Sequence, residues 1–199
     1  MDRRAFFQQA FRNTGEKIVK LCDAKVTRQA THWIRPPYAQ DELAFLLACT
    51  RCGACIAACP HEVIFPLAAR LGITVAGTPA MDLLHKGCHL CEAWPCVAAC
   101  EPGALKQHAR GADTKDAPSA LPRPFARVTI DTHACLPHQG PECGACEGSC
   151  PIPGALVWDM YRPRIDPEHC VGCALCRAAC IAQPSAIKIE AMVGAMEVS

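Results

Sequence analysis

The sequence predicts an α+β fold of two small lobes, each built from repeated halves, behind a helical N-terminal extension. Three observations predict it. Sixteen of the 17 cysteines in the 199 residues fall into four groups of four. Short stretches of alternating apolar and polar residues flank those groups, as strands with one buried face do. The apolar fraction of 51% includes the cysteines, and only 6% of residues are aromatic, so no large conventional core is available.

Residues 1–37 form the extension. It is basic: Arg3, Arg4, Arg12, Lys17, Lys20, Lys25, Arg28 and Arg35 stand against Asp2, Glu16 and Asp23. Phe7, Phe11, Ile18 and Leu21 recur at helical spacing, which gives an amphipathic helix. Two readings of its apolar stripe stand side by side: packing on the body of this chain, or peripheral docking to a partner or a membrane surface. The start D-R-R-A-F-F resembles a twin-arginine export signal, which needs an apolar stretch of about 7–15 residues next. Gln8, Gln9, Arg12, Asn13, Glu16 and Lys17 interrupt it here, so the expected location is the cytoplasm, with the periplasm as the alternative. No run of about 18 apolar residues occurs, and no transmembrane helix is expected. Cys22 stands alone and reads as a free structural thiol.

Pro36 and Pro37 end the extension, and the four-motif region spans 38–190. A short apolar helix over 42–47 leads into the first motif, Cys49, Cys52, Cys55 and Cys59, with Pro60 directly after. The second motif is Cys88, Cys91, Cys96 and Cys100, where Trp94 and Pro95 fill an extra turn. Residues 107–124, rich in proline and mixed charge, make a surface loop. A strand over 127–131 enters the third motif, Cys135, Cys143, Cys146 and Cys150, followed by Pro151. Pro137, Gly140 and Pro141 mark its seven-residue insert as a looped-out turn, so Cys135 can fold back onto the site. A strand at 163–166 enters the fourth motif, Cys170, Cys173, Cys176 and Cys180. The alternation of 186–190 closes the fold, and 191–199 is a tail.

The spacing C-x2-C-x2-C-x3-C of motifs one and four is the bacterial signature for a 4Fe–4S cluster, in which the fourth cysteine ligates the other cluster of a pair. Three cysteines two residues apart wrap a tight loop around one cubane, while the fourth, on the helix that follows, points to the next. The sixteen cysteines of the four motifs therefore fill the iron corners of four clusters. Three other readings compete. A disulfide framework belongs to short secreted domains, and its spacings do not repeat in this way. Structural zinc takes separated two-cysteine knuckles. Loss of part of the set, with a degenerate motif or a three-iron cluster, stays open.

Metal binding then carries the folding free energy, and the metal-free chain is expected to be largely disordered. The formal charge of +1 becomes about −7 once four clusters of about −2 each are counted. Nucleic-acid binding has no support, because no basic stripe with interleaved aromatics occurs. No phosphate-cradling loop, nicotinamide or flavin fingerprint or nucleophile–base pair points to catalysis. His89, between Cys88 and Cys91, and His138, in the insert, are read mainly as solvated or satisfied, with a hydrogen bond to cluster sulfur as the sharper alternative.

From about Arg35 to Glu190 the chain resembles the NapG/MauM type of ferredoxin-like proteins, which are related to the NapF type. The resemblance rests on R-P-P at 35–37, A-C-T-R-C-G-A-C-I-A-A-C-P at 48–60, G-T-P at 77–79, the C-x2-C-x4-C-x3-C of motif two, the C-L-x4-G-x2-C-x2-C-x3-C-P of motif three, and C-V-G-C-A-L-C-R-A-A-C at 170–180 without a following proline. It implies two bis-cluster ferredoxin lobes and a non-catalytic electron carrier between a membrane quinol-oxidising partner and a terminal reductase, or in methylamine metabolism. It also implies that the insert after Cys135 is a family trait. The NapF type implies a different role, a cytoplasmic assembly factor for a molybdenum or other metallo-oxidoreductase. A third reading is a structural cluster protein without electron turnover. Pairing of the motifs is open, and an interleaved arrangement would join one with four and two with three.

Overall fold

The computed structural model describes residues 33–107 and 121–192. The expected helix over Phe7, Phe11, Ile18 and Leu21, the lone Cys22, most of the 107–124 loop and the tail beyond Met192 lie outside the described residues.

Local chemistry keeps every element short, because proline, glycine and the cysteine loops interrupt the chain every few residues. Helix α1, Glu42–Ala48, buries Phe45 completely and ends at Cys49, whose N–H donates to the Phe45 carbonyl at 2.8 Å. Helix α2 spans Ala54–Ala57. Strand β1, Ile64–Pro66, pairs antiparallel with β2, Pro79–Met81, and a 3-10 turn at Ala69–Leu71 lies between them. Helix α3, Pro95–Ala98, completes the N-terminal half.

The C-terminal half opens with β3, Ala126–Ile130, and closes with β6, Ile187–Ala191. Between them come α4, Leu136–Gln139, then the hairpin of β4, Leu156–Asp159, and β5, Arg162–Ile165, then α5, Leu175–Ala179. β3 and β6 pair in antiparallel register from Ala126 opposite Ala191 to Ile130 opposite Ile187. Their inward residues Val128 and Ile187 pack on Cys176. The strands expected at 127–131, 163–166 and 186–190 fall within one residue of these elements, so the last strand takes Ala191 from the expected tail.

Both halves follow one plan: an outer strand, a cysteine loop, an inner hairpin, a second cysteine loop and a returning outer strand. In the N-terminal half the outer pair shrinks to one bridge, Ala39 with Leu105, flanked by N–H donation from Gln40 to Ala104 and from Lys106 to Tyr38. Pro36 and Pro37, both fully buried, carry no N–H and cannot extend that ladder. The Arg35 side chain takes over the fastening. Its guanidinium donates to both carboxylate oxygens of Glu42, to Thr78 Oγ1 at 2.9 Å and to the Pro79 carbonyl at 2.7 Å. Arg35 also lies over the rings of Phe45 and Trp33, 4.6 and 5.5 Å from their centroids. Residues 33–37 are therefore fastened to the N-terminal half.

The halves meet through backbone. The Cys88 N–H donates to the Cys173 carbonyl at 2.7 Å, and Arg177 Nε donates to the Leu84 carbonyl at 3.0 Å. Gly87 lets them approach so closely, since a Cβ there would stand 2.9 Å from the Leu175 Cα. Cys88 and Leu90 pack with Ile152, Val171 and Cys173 in a cluster shared by both halves.

Candidate iron–sulfur sites

Three of the cysteine loops turn into their helices through the same backbone device. The residue before the helix is left-handed: Gly53 at φ 76°, Trp94 at φ 44° and Ala174 at φ 63°. The turn buries Cys55, Cys96 and Cys176 in the first residues of α2, α3 and α5. Each helix then carries its motif's last cysteine to the opposite end, where it faces a different cavity.

Four quartets result. Cys49, Cys52 and Cys55 share a cavity with Cys100. Cys88, Cys91 and Cys96 share one with Cys59. Cys135, Cys143 and Cys146 share one with Cys180. In the fourth quartet Cys150 and Cys170 pack on the apolar cluster that holds Cys173, and both add to the rise that burial gives the Cys176 pKa. Each motif thus exchanges its last cysteine with one neighbour, motif one with two and motif three with four. The interleaved pairing of one with four and two with three, an arrangement the sequence leaves open, is not the one found. The β3–β6 ladder is the physical reason, because it brings the entrance of motif three beside the exit of motif four.

The thiols are electrostatically frustrated. Burial pushes Cys55 up to about 11, and the facing Cys100, Cys49 and Cys52 add to it. Burial pushes Cys96 up to about 12, helped by Cys88 and Cys59, and Cys176 up to about 12, helped by Cys173 and Cys170. Cys146 rises to about 11 by burial, with Cys135, Cys180 and Cys143 adding. Four sulfurs around one cavity cannot ionise together without a cation, which is the donor chemistry of a metal cluster. Burial also raises Cys180, but the Ser185 hydroxyl and the backbone N–H groups of Ala182, Ala186 and Ile187 outweigh it and hold the thiol below its ordinary value. The Leu105 N–H donates to Cys100 Sγ at 3.3 Å.

The donor set fits a cluster better than a single ion. All sixteen cysteines are free thiols, and among the described residues no three His, Cys, Asp or Glu side chains close on one metal ion. A zinc ion draws its sulfurs to about 2.3 Å from one centre, whereas a cubane spreads them over four corners. A second observation agrees. Trp158 lines the Cys135 quartet, and its buried Nε1 has no protein partner.

Both histidines have protein partners, and His89 also lines the cavity of Cys88, Cys91 and Cys96. His138 Nε2 lies 3.0 Å from the Pro163 carbonyl, and His89 stacks on His61 with centroids 3.5 Å apart. Burial and the neighbouring His61 hold His89 below its ordinary pKa. Sequence reasoning passed over Trp158, Arg35 and Gly87. Only R-P-P at 35–37 had been singled out, as a mark of resemblance. Among the described residues no helix is long and apolar enough to cross a membrane.

Comparison with known proteins points to the same class of cofactor. Two 4Fe–4S binding domain families match, one at residues 47–65 and one at 167–181, the two motifs with regular spacing. The chain is 32% identical to the ferredoxin-type protein NapG of Haemophilus influenzae, across 96% of this chain and 72% of that one. It is 30% identical to the methylamine utilization ferredoxin-type protein MauM of Methylobacillus flagellatus, across 94% and 83%. The ferredoxin-type protein NapF of Escherichia coli is 33% identical over 77% of this chain and 83% of its own.

Proposed function

Since the chain belongs to the NapG/MauM family of ferredoxin-type proteins, we propose that it binds four 4Fe–4S clusters in two bis-cluster lobes and relays electrons between two protein redox partners. The observation that carries this reading is the exchange of cysteines between neighbouring motifs, which assembles four quartets from four loops. Cys49, Cys52, Cys55 and Cys100 would hold one cluster, and Cys59, Cys88, Cys91 and Cys96 the next. Cys150, Cys170, Cys173 and Cys176 would hold the third, and Cys135, Cys143, Cys146 and Cys180 the last. Each cluster would supply reversible one-electron chemistry.

The protein's own residues set the order. Helices α2 and α5 place cysteines of two quartets on one short segment, and the Cys88–Cys173 hydrogen bond joins the inner quartets across the halves. The quartets with Cys49 and Cys135 therefore lie at the ends of the row, where partners have access; Cys52 is exposed at one end and Ile181 at the other. A membrane quinol-oxidising complex and a terminal reductase are the partner classes that suit such a relay.

Anaerobic purification with iron and acid-labile sulfide counting tests the reading. It requires about sixteen irons per chain and reversible reduction seen by EPR. Well under about twelve irons after reconstitution overturns it. Preferential binding to an apo-reductase, with ready loss of iron, would instead support the assembly-factor reading.

A further inference from the structure

The β4–β5 hairpin covers the outermost quartet of the C-terminal half. In its register Trp158 stands opposite Pro163. Pro163 is fully buried, and His138 Nε2 contacts its carbonyl at 3.0 Å, which ties the hairpin to the insert between Cys135 and Cys143. Trp158 and Pro163 both line the cavity shared by Cys135, Cys143, Cys146 and Cys180. The hairpin is therefore a built wall of that site.

Trp158 Nε1 is the one buried side-chain nitrogen or oxygen among the described residues with no hydrogen-bond partner. No carbonyl, carboxylate or thiol sulfur of the described protein reaches it. An indole N–H can only donate, and a buried donor normally has an acceptor. Here the acceptor must come from whatever occupies the cavity.

We propose that Trp158 donates its indole N–H to a sulfur of the 4Fe–4S cluster held by Cys135, Cys143, Cys146 and Cys180, and thereby raises that cluster's reduction potential. The inference rests on the reading that this quartet holds a cubane. Reduction adds negative charge to the cluster, and a donor aimed at its sulfur stabilises the reduced form more than the oxidised one. The cysteine sulfurs lie beyond hydrogen-bond reach of Nε1, so the acceptor is an inorganic sulfide. Trp158 is a potential-setting residue, distinct from the ligands.

Trp158→Phe tests this, because it removes the donor and keeps an aromatic wall. The cluster concerned is identified as the EPR signal missing from Cys146→Ser. Wild-type iron content with a lower midpoint potential for that signal alone supports the proposal. Solvent entering the vacated space would move the potential upward, so the sign separates lost hydrogen bonding from loosened packing. A second measurement needs no change in fold. In protein labelled with 15N at the indole nitrogen of tryptophan, that signal should carry a 15N coupling which Trp158→Phe abolishes. Full iron with an unmoved or raised potential, or with no coupling lost, overturns the proposal and leaves the four-cluster reading standing. Wild-type iron short by one cluster, with Cys146→Ser changing nothing, overturns both.

Discussion

The two halves follow the same plan but fasten their ends differently. The C-terminal half closes with a ladder from Ala126–Ala191 to Ile130–Ile187. The N-terminal half has two single bridges, Ile34–Met81 and Ala39–Leu105, and an ion pair, Arg35 with Glu42, whose side chains are 10% and 8% exposed. Backbone ladders tolerate side-chain changes, because their bonds belong to every residue. A buried ion pair concentrates the same fastening in two side chains. The difference teaches that the C-terminal seam rests on backbone bonds, while the N-terminal one leans on a pair of side chains.

Arg35→Met should break this comparison most strongly. It leaves Glu42 buried without its partner, a change that costs about 3–5 kcal/mol. Iron content should fall toward half, with the two C-terminal EPR signals intact. Adding Glu42→Leu should restore most of the lost iron, since an apolar pair of similar volume replaces a buried ion pair at little cost. Equal loss from both halves would show that they do not fold separately around their clusters.

The C-terminal half has its own weak point in Gly172, at φ 84°, where a Cβ would run into the backbone of Ala126 at the start of the ladder. Gly172→Ala combines left-handed strain with overpacking, roughly 2–4 kcal/mol together. It should deplete the C-terminal clusters and spare the N-terminal ones, the mirror image of Arg35→Met. Gly87→Ala acts between the halves and costs less, about 1–3 kcal/mol, because part of its conflict is with the flexible tip of Leu175. Iron content should match wild type, while magnetic interaction between the paramagnets of the two halves in the reduced protein weakens. An unchanged EPR line shape would remove Gly87 from the junction.

How much of this was legible follows from what each feature depends on. The four cysteine groups could be read because their spacing is a local feature of the chain. Strands β3, β5 and β6 could be read because alternation such as Ile187–Lys188–Ile189 is a local signal. β1 and β2 have three residues each, too few for any period to show. Motif pairing could not be read because every motif offers the same exchangeable fourth cysteine, and only the distant match of β3 with β6 decides among partners. The roles of Trp158 and Gly87 depend on contacts from far along the chain, His138 to Pro163 and Leu175 to Gly87, which no local pattern carries.

The smallest expected effect sharpens the contrast between the two fastenings. The C-terminal ladder has an ion pair as well, Lys188 with Asp131 at 3.9 Å, with side chains 44% and 34% exposed. Each seam thus carries one ion pair, and the two differ in burial. Water already solvates both charges of the Lys188 pair, so Lys188→Met forfeits only a screened attraction, below about 1 kcal/mol. The backbone bonds between Thr129 and Lys188 survive the substitution, because they use no side-chain atom. Thermal loss of iron absorbance should therefore match wild type within a few degrees, whereas Arg35→Met shifts it well beyond that. A shift for Lys188→Met as large as that for Arg35→Met would mean that the ladder's strength resides in its side chains, and the division between the halves would fail.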